Sequence, residues 1–85
     1  MARPALAKLE LFHRIAEADS AQLRTFVLEE GLEAQVQFRN VAFPEAEAAL
    51  ASHGATQTPA LWDGTRLYQG RPDVTARLRR LLRDG

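Results

Sequence analysis

Eighty-five residues, 46% of them apolar, suffice for one small domain and not for two. Eleven basic side chains balance eleven acidic ones, so no bulk field draws the chain to nucleic acid or to an anionic membrane. Cysteine is absent, which excludes disulfides, thiolate nucleophiles, iron–sulfur clusters and cysteine-held zinc.

Met1–Ala7 starts as a secretory signal does, but Lys8 and Glu10 interrupt the apolar run before a signal core can form. No stretch reaches the length of a membrane span. Residues 1–7 therefore read as a loose segment ahead of a single domain within 1–85, in a cytoplasmic protein. Leu9–Phe12 reads as a strand with Glu10 inside it. Asp19 with Gln22 three residues on is a capping-box pattern that predicts a helix start there. Leu23, Phe26 and Val27 recur on one helical face, and Gly31 closes the helix as a C′ glycine.

Ala34–Arg39 alternates with period two and predicts a second strand. Phe43-Pro44 opens a second helix, with Pro44 in the first turn and Glu45 and Glu47 near the positive end of its dipole. It runs to about His53, and Gly54 stops it. Thr58–Trp62 predicts a strand beginning at a proline, and Arg66–Tyr68 its returning partner. Between them Asp63-Gly64 is the signature of a two-residue type I′ turn, which requires positive φ twice. After Gly70 and Pro72 a last helix carries Val74, Leu78, Leu81 and Leu82 as one apolar stripe, with Arg77, Arg79, Arg80 and Arg83 in its later half. This order predicts a parallel first pair with a right-handed crossover and an antiparallel hairpin edge. The expected object is a four-stranded mixed α/β sheet with helices on both faces.

Three segments, in this order and spacing, resemble the glutaredoxin family, the short form of the thioredoxin-like fold, and they span nearly the whole chain. Leu9–Arg14 leads into a loop and helix with the family's spacing; Gly54–Pro59 resembles the approach to its cis-proline; Tyr68–Asp73 resembles its glycine-glycine-x-x-aspartate turn into the last helix. The resemblance implies a β-α-β-α-β-β-α fold with a cis bond before Pro59. It also locates a departure. Where the family carries Cys-x-x-Cys or Cys-x-x-Ser, this chain has Glu17-Ala18-Asp19-Ser20. Neither Glu17 nor Ser20 can form a mixed disulfide, so thiol–disulfide exchange by this chain is excluded chemically.

The resemblance marks seven ligand-binding candidates. Arg14 matches a basic residue that meets the glycine carboxylate of glutathione. Glu17 and Ser20 fill the former redox slot. Thr58 and Pro59 match the cis-proline pair that holds the cysteine part of glutathione, and Gly70 and Asp73 match the turn that holds its γ-glutamyl group. Gln69 replaces the family's first glycine and Pro72 removes a backbone donor, both departures in that half. Each candidate also has a structural reading: helix capping for Glu17, Ser20, Gly70 and Asp73, a solvated charge for Arg14, a turn for Thr58-Pro59. His13 reads as a packed or edge residue and His53 as a residue favoured by the dipole near a helix end, neither as a metal ligand, and Trp62 and Tyr68 read as core or edge packing. No catalytic residue and no metal is expected, and no cofactor beyond glutathione as a ligand.

Three functions fit these residues. One is a redox-inactive binding module for a peptide, a protein or glutathione, using the groove beside Pro59. The second is a glutathione-transferase-like N-terminal module using the Ser20 hydroxyl. The third is a structural module that oligomerises through an edge strand or the last helix.

Overall fold

The computed structural model describes residues 8–84; the reading of 1–7 as a loose segment lies outside the described residues. In chain order the elements are β1 (Leu9–His13), α1 (Ala18–Glu29), β2 (Val36–Asn40), α2 (Pro44–Ser52), β3 (Ala60–Trp62), β4 (Leu67–Gln69) and α3 (Arg71–Asp84). The strands form one mixed sheet in the order β2-β1-β3-β4. β1 and β2 are parallel, with Leu11 opposite Phe38; β3 runs antiparallel to both β1 and β4.

The period-two alternation of β1 explains the layering. Leu9 and Leu11 point to one face, where Leu23 and Val27 of α1 and Val74 and Leu78 of α3 join them with Val36 and Leu61. Phe12 points to the other face and meets Leu50 of α2, Val41 and Ala60. Helices therefore cover both faces of the sheet. Glu10 lies on the α2 face and is not a stray charge in a strand: Arg39 of β2 forms an ion pair with it and sits over the Phe12 ring, 5.5 Å from its centroid.

Helix ends follow backbone needs more closely than side-chain signals. α1 begins at Ala18 with Glu17 as its N-cap residue, and no side chain caps it. The expected Asp19–Gln22 capping box does not form, because Asp19 already lies inside the first turn and its carboxylate faces Arg71 of α3, 3.2 Å away. The C-terminus is as expected. Gly31 has φ 69°, its N–H reaches Leu28 O, and the Leu32 N–H reaches Val27 O, a Schellman closure that tucks Leu32 into the core. Because Leu32 O then accepts from Gln35 and Val36, Ala34 and Gln35 are spent in a turn and β2 starts only at Val36.

The β3–β4 connection also departs from expectation. Trp62 pairs with Leu67, so four residues rather than two lie between the paired positions, and β4 begins at Leu67, one residue later than the expected Arg66. A type I′ turn needs positive φ at Asp63, but among residues 63–66 only Gly64 has it, at 99°. Asp63 instead spends its carboxylate on the loop, accepting from the N–H groups of Thr65 (2.9 Å) and Arg66 (2.7 Å). An Asx-type loop thus displaces the tighter turn. β3 likewise starts at Ala60, past Pro59, which has no N–H to give a ladder. In α3 only Val74 and Leu78 are buried; Leu81 is half-buried and Leu82 is 38% exposed, so the stripe ends a turn early.

Candidate functional site

β1 delivers its last residue, His13, into the interior at 4% exposure, and the chain then turns through Arg14–Ala16 into α1. Arg24 of α1 holds this turn. Its guanidinium donates to Arg14 O (3.1 Å), Ile15 O (3.3 Å) and His13 Nδ1 (3.1 Å). A guanidinium cannot accept, so Nδ1 is the acceptor and the neutral imidazole carries its proton on Nε2. Burial, followed by the Arg24 charge, holds the His13 pKa below its usual 6.5. The edge of Phe38 completes the surroundings, with ring centroids 5.6 Å apart.

At the start of α1 the three side chains Glu17, Ser20 and Thr58 meet. Ser20 is fully buried on the core face of the helix, beside Leu23 and Val27. Its hydroxyl donates to Glu17 Oε1 and accepts from the Arg14 N–H at 3.2 Å. The Thr58 hydroxyl, 41 positions further along the chain, lies 2.9 Å and 3.1 Å from the two Glu17 carboxylate oxygens. One carboxylate thus joins the loop before α1 to the loop before β3. Glu17 and Ser20 do not cap α1 through their side chains; they bond each other and Thr58. The Thr58–Pro59 peptide is cis, and Pro59 is buried.

Gly70 joins the cluster through its N–H, which donates to Pro59 O at 2.9 Å; its φ of 89° is reached without strain only by glycine. Beside it the Arg71–Asp19 ion pair ties the start of α3 to the first turn of α1. Arg14 touches the cluster through its backbone N–H, on the Ser20 hydroxyl. It lines an open cleft of about 220 Å³ with Thr56, Gln57 and the α2 residues Glu47, Leu50 and Ala51. Asp73 lies elsewhere again, in a cleft over the hairpin with Arg66, Tyr68, Arg77 and Arg80. The structure therefore gathers Glu17, Ser20, Thr58, Pro59 and Gly70, sets Arg14 in the adjoining cleft and places Asp73 in the cleft over the hairpin.

Two participants escaped sequence reasoning. Gln69 accepts the Thr56 N–H in its side-chain oxygen at 2.9 Å, closing the loop before Pro59 from the β4 side. Its replacement of a glycine marked a departure but not this bond. Arg24 carries no sequence signal at all, since it meets its partners 9 to 11 residues upstream.

Chemically the cluster is a closed hydrogen-bonded wall. The Ser20 hydroxyl is aimed at a carboxylate and has no exposure, so it cannot reach a bound molecule. Trp62 and the α2 C-cap His53 stack on the α2 face at 4.0 Å between ring centroids, a packing arrangement. Tyr68 packs against the α1–α3 core. Arg77 of α3 is largely withdrawn from solvent. It pairs with Asp63 at 3.1 Å, with 14% and 8% of the two side chains exposed. Burial raises the Asp63 pKa, but bonds from the Arg66 and Thr65 amides, then from Arg77 and the Thr65 hydroxyl, outweigh it and hold the carboxyl well below the usual range. Among the described residues no group of three or more histidines and carboxylates could hold a metal ion, and no helix is long and apolar enough to cross a membrane. Comparison with family models, with curated proteins and with solved structures finds no match to the chain.

Proposed function

We propose that the chain is a thioredoxin-like domain of the glutaredoxin type that carries no thiol chemistry and acts in the cytoplasm as a binding module for an extended peptide segment of a partner protein. The element order and the mixed β2-β1-β3-β4 sheet are compatible with that layout. The observation that carries the binding role is the Glu17–Ser20–Thr58 network. It fills the slot where the family holds its reactive group and braces the loop before Pro59 in one conformation. A braced loop loses little entropy on binding, which is what a recognition surface needs.

Peptide is favoured over glutathione because the Glu17 carboxylate at the centre of the slot repels a ligand that carries two carboxylates and one ammonium. Arg14, the candidate for meeting a carboxylate, shares its cleft with Glu47. The buried, carboxylate-bound Ser20 hydroxyl gives a transferase role less support.

The test is an amide-shift titration of the labelled chain, first with reduced glutathione and then with heptapeptides selected from a random display library. Saturable shifts confined to Arg14, Glu17, Thr56–Thr58 and Gly70 with selected peptides, and weaker ones with glutathione, are expected. A selection that yields no binder, or binders whose shifts lie elsewhere, overturns the reading.

A further inference from the structure

We propose that β2 is a self-complementary docking edge through which two copies of this chain join their sheets antiparallel about Phe38. The bonds at the two ends of the β1–β2 ladder, Leu9 N–H to Gln35 O (2.9 Å) and Val41 N–H to His13 O (3.0 Å), set the alternation of the parallel pair. Residues 35, 37, 39 and 41 direct their backbone groups to β1. Val36, Phe38 and Asn40 therefore direct theirs outward, at the edge of the sheet.

Two of those six outward groups are already used within the chain: the Val36 N–H donates to Leu32 O, and Asn40 O accepts from the Phe43 N–H. Among the described residues this leaves four groups open: the Phe38 N–H, Phe38 O, Val36 O and the Asn40 N–H. Antiparallel pairing of Phe38 with Phe38 of a second copy uses these four and no others. The two Phe38 residues exchange both bonds, and each Asn40 N–H reaches the other copy's Val36 O. A register shifted by two residues leaves open groups opposite occupied ones.

The side chains agree with this register. Gln37 of each copy falls opposite Arg39 of the other on the α2 face, so no like charges meet, and the two Phe38 rings face each other across the twofold axis. The usual protections of an edge are missing: β2 contains no proline, no lysine and no bulge, and Arg39, its one charge, is committed to Glu10. The space beside the strand is open, a groove of about 620 Å³ whose lining includes Gln37, Phe38, Arg39, Asn40 and Phe43. Phe43, at the end of the edge, is 58% exposed. β4, the opposite edge, has only three residues and cannot offer as long a ladder. Zero net charge removes the repulsion that would keep copies apart. The product is an isologous dimer with one eight-stranded sheet.

Sedimentation equilibrium on the full chain over micromolar to millimolar concentration tests the proposal, with two variants at the exposed Gln37. Gln37→Lys sets two like-charge pairs against Arg39, and Gln37→Glu sets two opposite-charge pairs. The dimer dissociation constant is expected to rise about fivefold in the first and fall about fivefold in the second. Amide exchange is expected to slow with concentration at Phe38 and Asn40 and to stay unchanged at Gln37 and Arg39. A chain monomeric throughout, a dimer indifferent to both variants, or protection at Phe38 and Asn40 that does not depend on concentration would each overturn it.

Discussion

Replacing Glu17 by alanine removes the one carboxylate that joins the start of α1 to the loop before Pro59. The Ser20 hydroxyl is fully buried and loses its acceptor, which costs about 1–3 kcal/mol. Thr58 is half-buried and recovers part of its loss from water, leaving about 0.5–1 kcal/mol. We expect Glu17→Ala to destabilise the chain by roughly 2–3 kcal/mol in urea unfolding, with the m-value unchanged. Glu17→Gln keeps an acceptor oxygen and loses only the charge, so roughly 1 kcal/mol is expected, since charge-assisted bonds are about twice as strong as neutral ones. Combining Glu17→Ala with Thr58→Val is expected to cost less than the sum of the two changes by about 0.5–1 kcal/mol, because both remove one bond. An alanine variant within about 0.3 kcal/mol of the parent, or no less stable than the glutamine variant, would refute the bracing role.

Asp63→Ala leaves Arg77 buried without its counter-charge and strips the hairpin loop of its acceptor, so a loss of about 3–5 kcal/mol is expected in urea unfolding; a loss below about 1 kcal/mol would contradict the burial of the pair. His13 has its folded pKa lowered, so the unfolded chain binds its proton more readily. Its contribution is complete above the usual 6.5 and is lost as pH falls through the folded value. The urea midpoint is therefore expected to drop between pH 7.5 and 5, and the His13→Asn variant to flatten that drop; equal slopes in both proteins would refute it. Asp63 works in a lower window. Its contribution is present above the ordinary carboxylate range and fails only as the pH falls below it. Leu78→Ala should cost about 2–5 kcal/mol and Leu82→Ala under about 0.5 kcal/mol by thermal or urea unfolding; similar costs at the two positions would show that the α3 stripe extends further than its burial indicates.

Much of the architecture is determined by local rules in the sequence. The apolar run of Leu9, Leu11 and Phe12, the glycine at 31, the proline at 44 and the spacing of Val74 and Leu78 each report on a run, a period or a backbone requirement within a few residues, and these elements stand where the sequence places them. The absence of cysteine determined, without any structure, that no thiolate can act here. Other features were open until distant segments met. Asp19 and Gln22 carry a capping pattern, yet Asp19 serves Arg71, 52 residues away. Asp63-Gly64 favours a tight turn, yet Asp63 gains more from two loop amides and a buried guanidinium than from positive φ. Ser20 reads as a helix-start hydroxyl, and only the packing of α1 against the sheet turns it inward to bond Glu17. The Glu17–Thr58 bond spans 41 residues and the Arg39–Glu10 pair spans 29. A hydrogen bond is decided by a donor and an acceptor arriving at one point in space, and a pattern read within a few residues has no access to that point until the sheet has set it.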